Sequence, residues 1–299
     1  MRGRAASAKH AALPDSRYRP DGAPDYGHRF HAGNVGDVWK HCALVALAER
    51  ATGRVAYVES HAGEGRYPLG ATGEWTEGIG RLWSEPALGG AAGRYVACCR
   101  ALAGSSERPR TYPGSPAIAR AVLGPDAELA LWERDPDACA RLRQSIGVDA
   151  HARVEHGDGL GVLPEAVDTA ERDADTVLVL VDPPYTQKAD WLAVPDAFAR
   201  AARAAARAWL VLWYPVKSLT RPNAMIARLV AAGVAGTIAE LVTTPLDQQR
   251  SRLNGSGLVL VRPPDGVVAA LAAAAPVLGP RCATHGGFWS LRVQSWSAP

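Results

Sequence analysis

Apolar strands alternating with helix-patterned segments predict an α/β protein built on one doubly wound, mostly parallel sheet. Three features carry this reading. Thr176 to Val181 is an unbroken run of β-branched residues and leucines, the pattern of a strand buried on both faces. It ends in Asp182, Pro183, Pro184 and Tyr185, where the paired prolines stop the strand and block an immediate helix. Arg54 to Glu59 reads as a shorter strand running into Ser60, His61, Ala62, Gly63, Glu64 and Gly65, a loop small enough for a ligand to approach its backbone.

In chain order, residues 1–25 are rich in Ala, Arg, Pro and Asp without periodicity and read as a disordered basic arm ahead of one domain over 26–299. Its first twenty residues hold Arg2, Arg4, Lys9, Arg17 and Arg19 against Asp15 alone, which suits either a phosphate contact or a compositionally biased tail. A helix follows from Asn34 to about Arg50, with Asn34 as its cap, Asp37 at its positive end and Val38, Cys42 and Val45 at helical spacing. Residues 67–113 break the rhythm with glycines and prolines around fragments such as Arg94 to Ala103, and read as a helical insertion. The alternation then resumes with a helix at Ser115 to Val122 and a strand from Glu128 to Trp132 that ends in Glu133. A helix at Pro136 to Ser145 precedes a strand at Arg153 to His156, which ends in Gly157, Asp158 and Gly159. After the strand at 176–181 come a helix opened by Pro195, a strand at Trp209 to Trp213 and a helix at Asn223 to Ala232. Strands at Thr237 to Val242 and Gly257 to Val261, then a last helix and strand, close the chain.

Bulk properties exclude several classes. A chain of 299 residues with 47% hydrophobic content can bury a sizeable core, and a formal charge of +3 announces no polyanion partner by itself. Cys42, Cys98, Cys99, Cys139 and Cys282 are odd in number and show no C-x-x-C spacing, which argues against disulfides and zinc. His28, His31, His41 and His61 lack metal-ligand spacing, so no metal is expected. The longest apolar stretch, near Val267 to Ala275, is cut by Pro276, and no apolar segment follows the basic amino terminus. A cytoplasmic protein is the expectation.

Chemistry concentrates at strand ends, where open α/β sheets bind ligands. A glycine loop after the first strand, Glu133 after the second, Asp158 after the third and the Asp182 motif after the fourth would line one edge in sequence. Singly, Glu133 also reads as a solvated acid before a helix start, and Asp158 as a turn residue. A nicotinamide fingerprint fails because Pro68 stands where its third glycine belongs. A carboxylate ending the second strand can accept ribose hydroxyls, and Asp158 is placed for an adenine amine. Asp182 and the Pro183 carbonyl can both accept from an exocyclic amine while Tyr185 stacks on its ring. Lys40 and His41 could form a cationic pair for a cofactor carboxylate, and a solvated helix face explains them equally well.

The chain also resembles the RlmJ-type ribosomal RNA adenine-N6 methyltransferases. Matching blocks run from Tyr26, Gly27, His28, Arg29, Phe30, His31, Ala32, Gly33 and Asn34 through Lys40 and His41. Others are the loop from Ser60 to Tyr67, the segment Tyr112, Pro113, Gly114, Ser115 and Pro116, and the segment Asp182 to Tyr185. The resemblance implies a Rossmann-like class I fold using S-adenosyl-L-methionine, with large-subunit (23S) ribosomal RNA, protein-free or partly assembled, as partner. It implies that Lys40, His41, His61, Ser115, Glu133, Asp158 and Gly159 contact the cofactor. Asp182 would be catalytic, and Tyr26 and His28 would lie against the base with Pro183 and Tyr185. Alternatives are a DNA adenine-N6 methyltransferase and a catalytically idle RNA-binding module on the same fold.

Overall fold

The computed structural model describes residues 28–86, 88–104, 107–248, 253–284 and 286–298. A short helix α1 (His28–His31) leads into α2 (Val35–Ala48), where Asn34 caps by accepting from the Asp37 amide. The α2 sequence is apolar nearly all round, so it can only be a core helix; thirteen of its residues are buried. Strand β1 (Val55–Glu59) follows, then β2 (Arg66–Pro68), a 3-10 turn (Glu74–Thr76), α3 (Ile79–Trp83), α4 (Gly90–Ala103) and β3 (Thr111–Pro113). β2 and β3 pair antiparallel as a separate ribbon, which returns the chain to the main sheet beside the point where it left.

The remaining elements are α5 (Ser115–Leu123), β4 (Glu128–Glu133), α6 (Pro136–Ile146), β5 (Ala152–His156), α7 (Gly159–Asp173), β6 (Thr176–Val181), α8 (Asp190–Ala204), β7 (Trp209–Val216), α9 (Thr220–Ala231), β8 (Gly236–Val242), β9 (Gly255–Val261), α10 (Val267–Cys282) and β10 (Ser290–Trp296). The eight-stranded sheet has the order β10-β8-β9-β7-β6-β1-β4-β5. From β5 through β7 its neighbours are parallel, and the β7–β9, β9–β8 and β8–β10 pairs are antiparallel. All six residues of β6 are buried, as a strand covered on both faces requires.

The order reverses once, between β1 and β6: from β1 the chain winds outward to β4 and β5, then crosses back to β6 and β7. Both strands end in the loops singled out by sequence. A crevice at such a switch point is where this architecture binds ligands.

Three helices differ from expectation, each through proline. α8 starts at Asp190, not at Pro195, which lies inside it. α7 went unanticipated because Gly159, Gly161 and Pro164 all sit in its first turns, yet the helix runs through Pro164. α10 likewise passes through Pro276 and Pro280 to Cys282. Each proline forfeits one hydrogen bond, and packing against the sheet outweighs the loss. Among the described residues no helix is long and apolar enough to cross a membrane.

Candidate active site

The parallel strands deliver their carboxyl ends to one cleft of about 640 Å³. It is lined by Lys40, His41, His61, Ser115, Glu133, Asp158, Gly159, Asp182 and Pro183, so the sequence-derived cofactor residues and the acid of the motif share one space. Tyr185 does not line it. Its ring lies in an adjoining hollow, with centroids 4.4 Å from Trp191 and 6.2 Å from Trp213, and its hydroxyl faces the Met225 sulfur at 3.6 Å. Tyr26 and the side chain of His28 lie outside the described residues.

The half of the cleft over β1, β4 and β5 is held by backbone. Gly63 has φ +62°, and a Cβ there would stand 2.0 Å from the Tyr67 hydroxyl, so no other residue fits. Its N–H donates to Glu133 Oε2 at 2.8 Å, while Glu133 Oε1 accepts from the Asp135 amide at 2.8 Å. Glu133 is therefore a buried, ordered carboxylate; the solvated-acid reading fails. Asp158 caps α7 by accepting from the Leu160 amide at 3.1 Å, and a Cβ on Gly159 would meet the Ser60 carbonyl at 2.4 Å.

The half over β6 and α2 is held by charge. Lys40 Nζ donates to Asp37 Oδ1 at 2.8 Å and to Asp182 Oδ2, and lies 5.6 Å from the Trp213 ring centroid. Burial pushes the Lys40 pKa down, but Asp182 and Asp37 outweigh it and hold the value well above the usual lysine range. For Asp37, burial opposes ionisation, and Lys40 overcomes it with help from the Gly33 N–H, leaving the pKa lowered. Neither reading of Lys40 and His41 as a pair survives. Both side chains are buried, which removes the solvated face. Only Lys40 is charged, because burial and the neighbouring ammonium push His41 down to about 3.

His41 is instead a neutral ring in a chain of hydroxyls. Its Nδ1 is 2.6 Å from the Tyr112 hydroxyl, which is 2.9 Å from that of Tyr95. Its other nitrogen, Nε2, is buried and has no partner among the described residues. Beneath this level Glu59, at the end of β1, accepts from the Ser115 hydroxyl at 2.5 Å and from the Tyr57 hydroxyl at 2.8 Å. Burial pushes its carboxyl up to about 8.

Asp37, Glu59, Tyr112 and Trp213 belong to this site and were absent from the sequence-derived set. Asp37 and Lys40 are three apart on one helix, which is a legible pairing. Nothing in the sequence announces that Asp182 joins them across 142 positions.

A family model described as Ribosomal RNA large subunit methyltransferase D, RlmJ, matches residues 53–296. The chain belongs to this family. The Ribosomal RNA large subunit methyltransferase J of Escherichia coli K12 is 36% identical over 248 residues, covering 80% of this chain and 87% of the relative. Its namesake from Haemophilus influenzae is 33% identical over the same shares. The crystal structure of protein LPL1258 from Legionella pneumophila superposes with a TM-score of 0.78 at 25% identity, over 89% of this chain and 98% of the other. Membership in the RlmJ family makes the chain a methyltransferase of large-subunit ribosomal RNA that uses S-adenosylmethionine. The cleft suits that cofactor: it offers acceptors at Glu133 and Asp158 for hydroxyls and an amine.

Proposed function

We propose that the chain methylates the exocyclic N6 of an adenine in 23S ribosomal RNA, with Asp182 as the group that engages the reacting nitrogen. The observation that carries this is the placement of Asp182 and Pro183 at the switch point, in the cleft that also holds the cofactor candidates. S-adenosylmethionine supplies a methyl group already activated on a sulfonium centre. His41, His61, Ser115, Glu133, Asp158 and Gly159 would hold it. Lys40, the seventh candidate, is better read as the counter-ion of Asp182, since its ammonium is engaged by two carboxylates.

Adenine N6 is a poor nucleophile because its lone pair is delocalised into the ring. Two acceptors on its hydrogens, the Asp182 carboxylate and the Pro183 carbonyl, favour the geometry in which that pair is freed. A hydrogen bond to a charged acceptor contributes about 1.5–3 kcal/mol. Lys40 fixes the carboxylate in place, so this orientation is built before the base arrives. Asp37, Lys40 and Asp182 together carry one net negative charge, which favours loss of the extra proton from nitrogen after transfer, to Asp182 or to water.

The target base must leave its stack to reach a recessed carboxylate, which favours protein-free or partly assembled RNA in the cytoplasm as substrate. Tyr26 and His28 are proposed to lie against that base. A tritiated-methyl transfer assay on unmodified large-subunit RNA tests this, with the labelled nucleoside identified after digestion and duplex DNA run in parallel. N6-methyladenosine from RNA alone is expected. Label on another nucleoside, or equal transfer to DNA, overturns the assignment.

A further inference from the structure

Beside the cleft lies a second hollow of about 230 Å³, lined by Tyr185, Trp191, Trp213, Lys217 and Arg221 among others. It shares His31, Asn34, Pro184 and Trp213 with the main cleft, so the two spaces adjoin. Asp182 lines only the first, and Trp191 and Arg221 line only the second. A purine whose amine reaches Asp182 lies in the first space, which leaves the second for something attached to it. That second space is made for a nucleotide. Arg221 lies over the Trp191 ring, 5.9 Å from its centroid, and both Arg221 and Lys217 are exposed without an ion-pair partner among the described residues. The indole N–H of Trp191 is buried and finds no acceptor in the described protein. The aromatic rings of this hollow and its uncompensated cations suit two parts of a nucleotide, its ring and its phosphate.

We infer that the Trp191–Arg221 hollow is a subsite for the base next to the target adenine, so that the enzyme grips two consecutive nucleotides of a single strand. This rests on the reading that the target is a base in RNA. The volume admits one heterocycle, so a single neighbour is held, by stacking and not by sequence readout.

The test measures kcat and KM on a short single-stranded RNA containing the target adenine. The fragment is prepared intact, with the 5′ neighbour abasic, and with the 3′ neighbour abasic. For the wild type, one of the two abasic fragments should show a KM about tenfold higher with kcat little changed. In Trp191→Ala the penalty for that same missing base should vanish, because the surface it stacked on is gone. Arg221→Ala, a change at an exposed side chain that spares the core, should shrink the penalty and keeps the test valid if Trp191→Ala fails to fold. Indifference of the wild type to both abasic fragments overturns the subsite. So do additive losses from variant and abasic fragment, or a fall in kcat that is the same on all three RNAs, which would put the target base itself in the hollow. Transfer by the wild type to the intact fragment reports on the adenine assignment alone, so the two failures are distinguishable.

Discussion

The two halves of the cleft solve the burial of polar groups in opposite ways. Over β1, β4 and β5 the side chains are tied to backbone amides, as Glu133 is to Gly63 and Asp135, and the glycines leave no room for adjustment. Over β6 and α2 the side chains are tied to one another, Lys40 between Asp37 and Asp182. The first arrangement presents fixed donors and acceptors to a molecule that must be bound the same way every cycle. The second keeps charges in a low-dielectric space, where each holds the others in place and where charge develops during reaction. Lys40 and His41, adjacent in sequence, mark the boundary: one is held charged and the other neutral by the same helix turn.

Removing one member of each half is the way to break this comparison. Asp182→Ala should lower kcat by on the order of 10³-fold while the dissociation constant for S-adenosylmethionine, measured by calorimetry, stays within a few-fold. Retention of most activity would show that the carboxylate is scaffold only. Lys40→Met should reduce kcat as well, and because it leaves two partly buried carboxylates without their cation it should cost about 1.5–3 kcal/mol in denaturant unfolding. A stable, active variant would show that the charge network does not organise Asp182.

A change at the hydroxyl chain behind His41 should act on binding instead. Tyr112→Phe removes the hydrogen-bond partner of His41 Nδ1. It should weaken cofactor affinity by about 1 kcal/mol, roughly fivefold, with kcat at saturation unchanged. An equal fall in kcat would place His41 in the chemistry.

A further effect is read from pH. Glu59 is protonated in the folded protein up to about pH 8 but ionises near its ordinary value once unfolded. Between those values the native state binds the extra proton, so this group's stability contribution is full below the unfolded pKa and is lost as pH rises toward 8. The slope is at most about 1.4 kcal/mol per pH unit for one proton. His41 acts in the opposite sense at lower pH: its folded value is depressed, so its contribution is lost as pH falls below its ordinary range toward about 3. Glu59→Gln should flatten the decline between about pH 5 and 8 in thermal melts. An unchanged profile would remove Glu59 as its source.

Much of this was legible in the chain. Thr176 to Val181 could only be a buried strand, Asn34 could cap, and the strand ends carrying Gly63, Glu133, Asp158 and Asp182 follow from apolar periodicity and proline stops. What failed was mostly proline and burial. Pro195 read as a helix start and Pro276 as the end of an apolar stretch, and no helix was read around Pro164, because local propensity disfavours proline inside helices, and tertiary packing overrode it. For Lys40 and His41 the chain left a solvated helix face open beside a cofactor-facing pair, because charge suggests solvent, yet α2 is enclosed by α4, α5, α10 and β9.

The sequence by itself determined the alternation of elements and the kind of group at each strand end, because backbone sterics and hydrophobic period are local properties. Only the tertiary structure decided which groups are charged and what each one touches. Burial, which only the packed fold supplies, holds Glu59 protonated and His41 neutral, and the contacts join groups far apart in the chain: Asp182 with Lys40, Glu59 with Ser115, His41 with Tyr112.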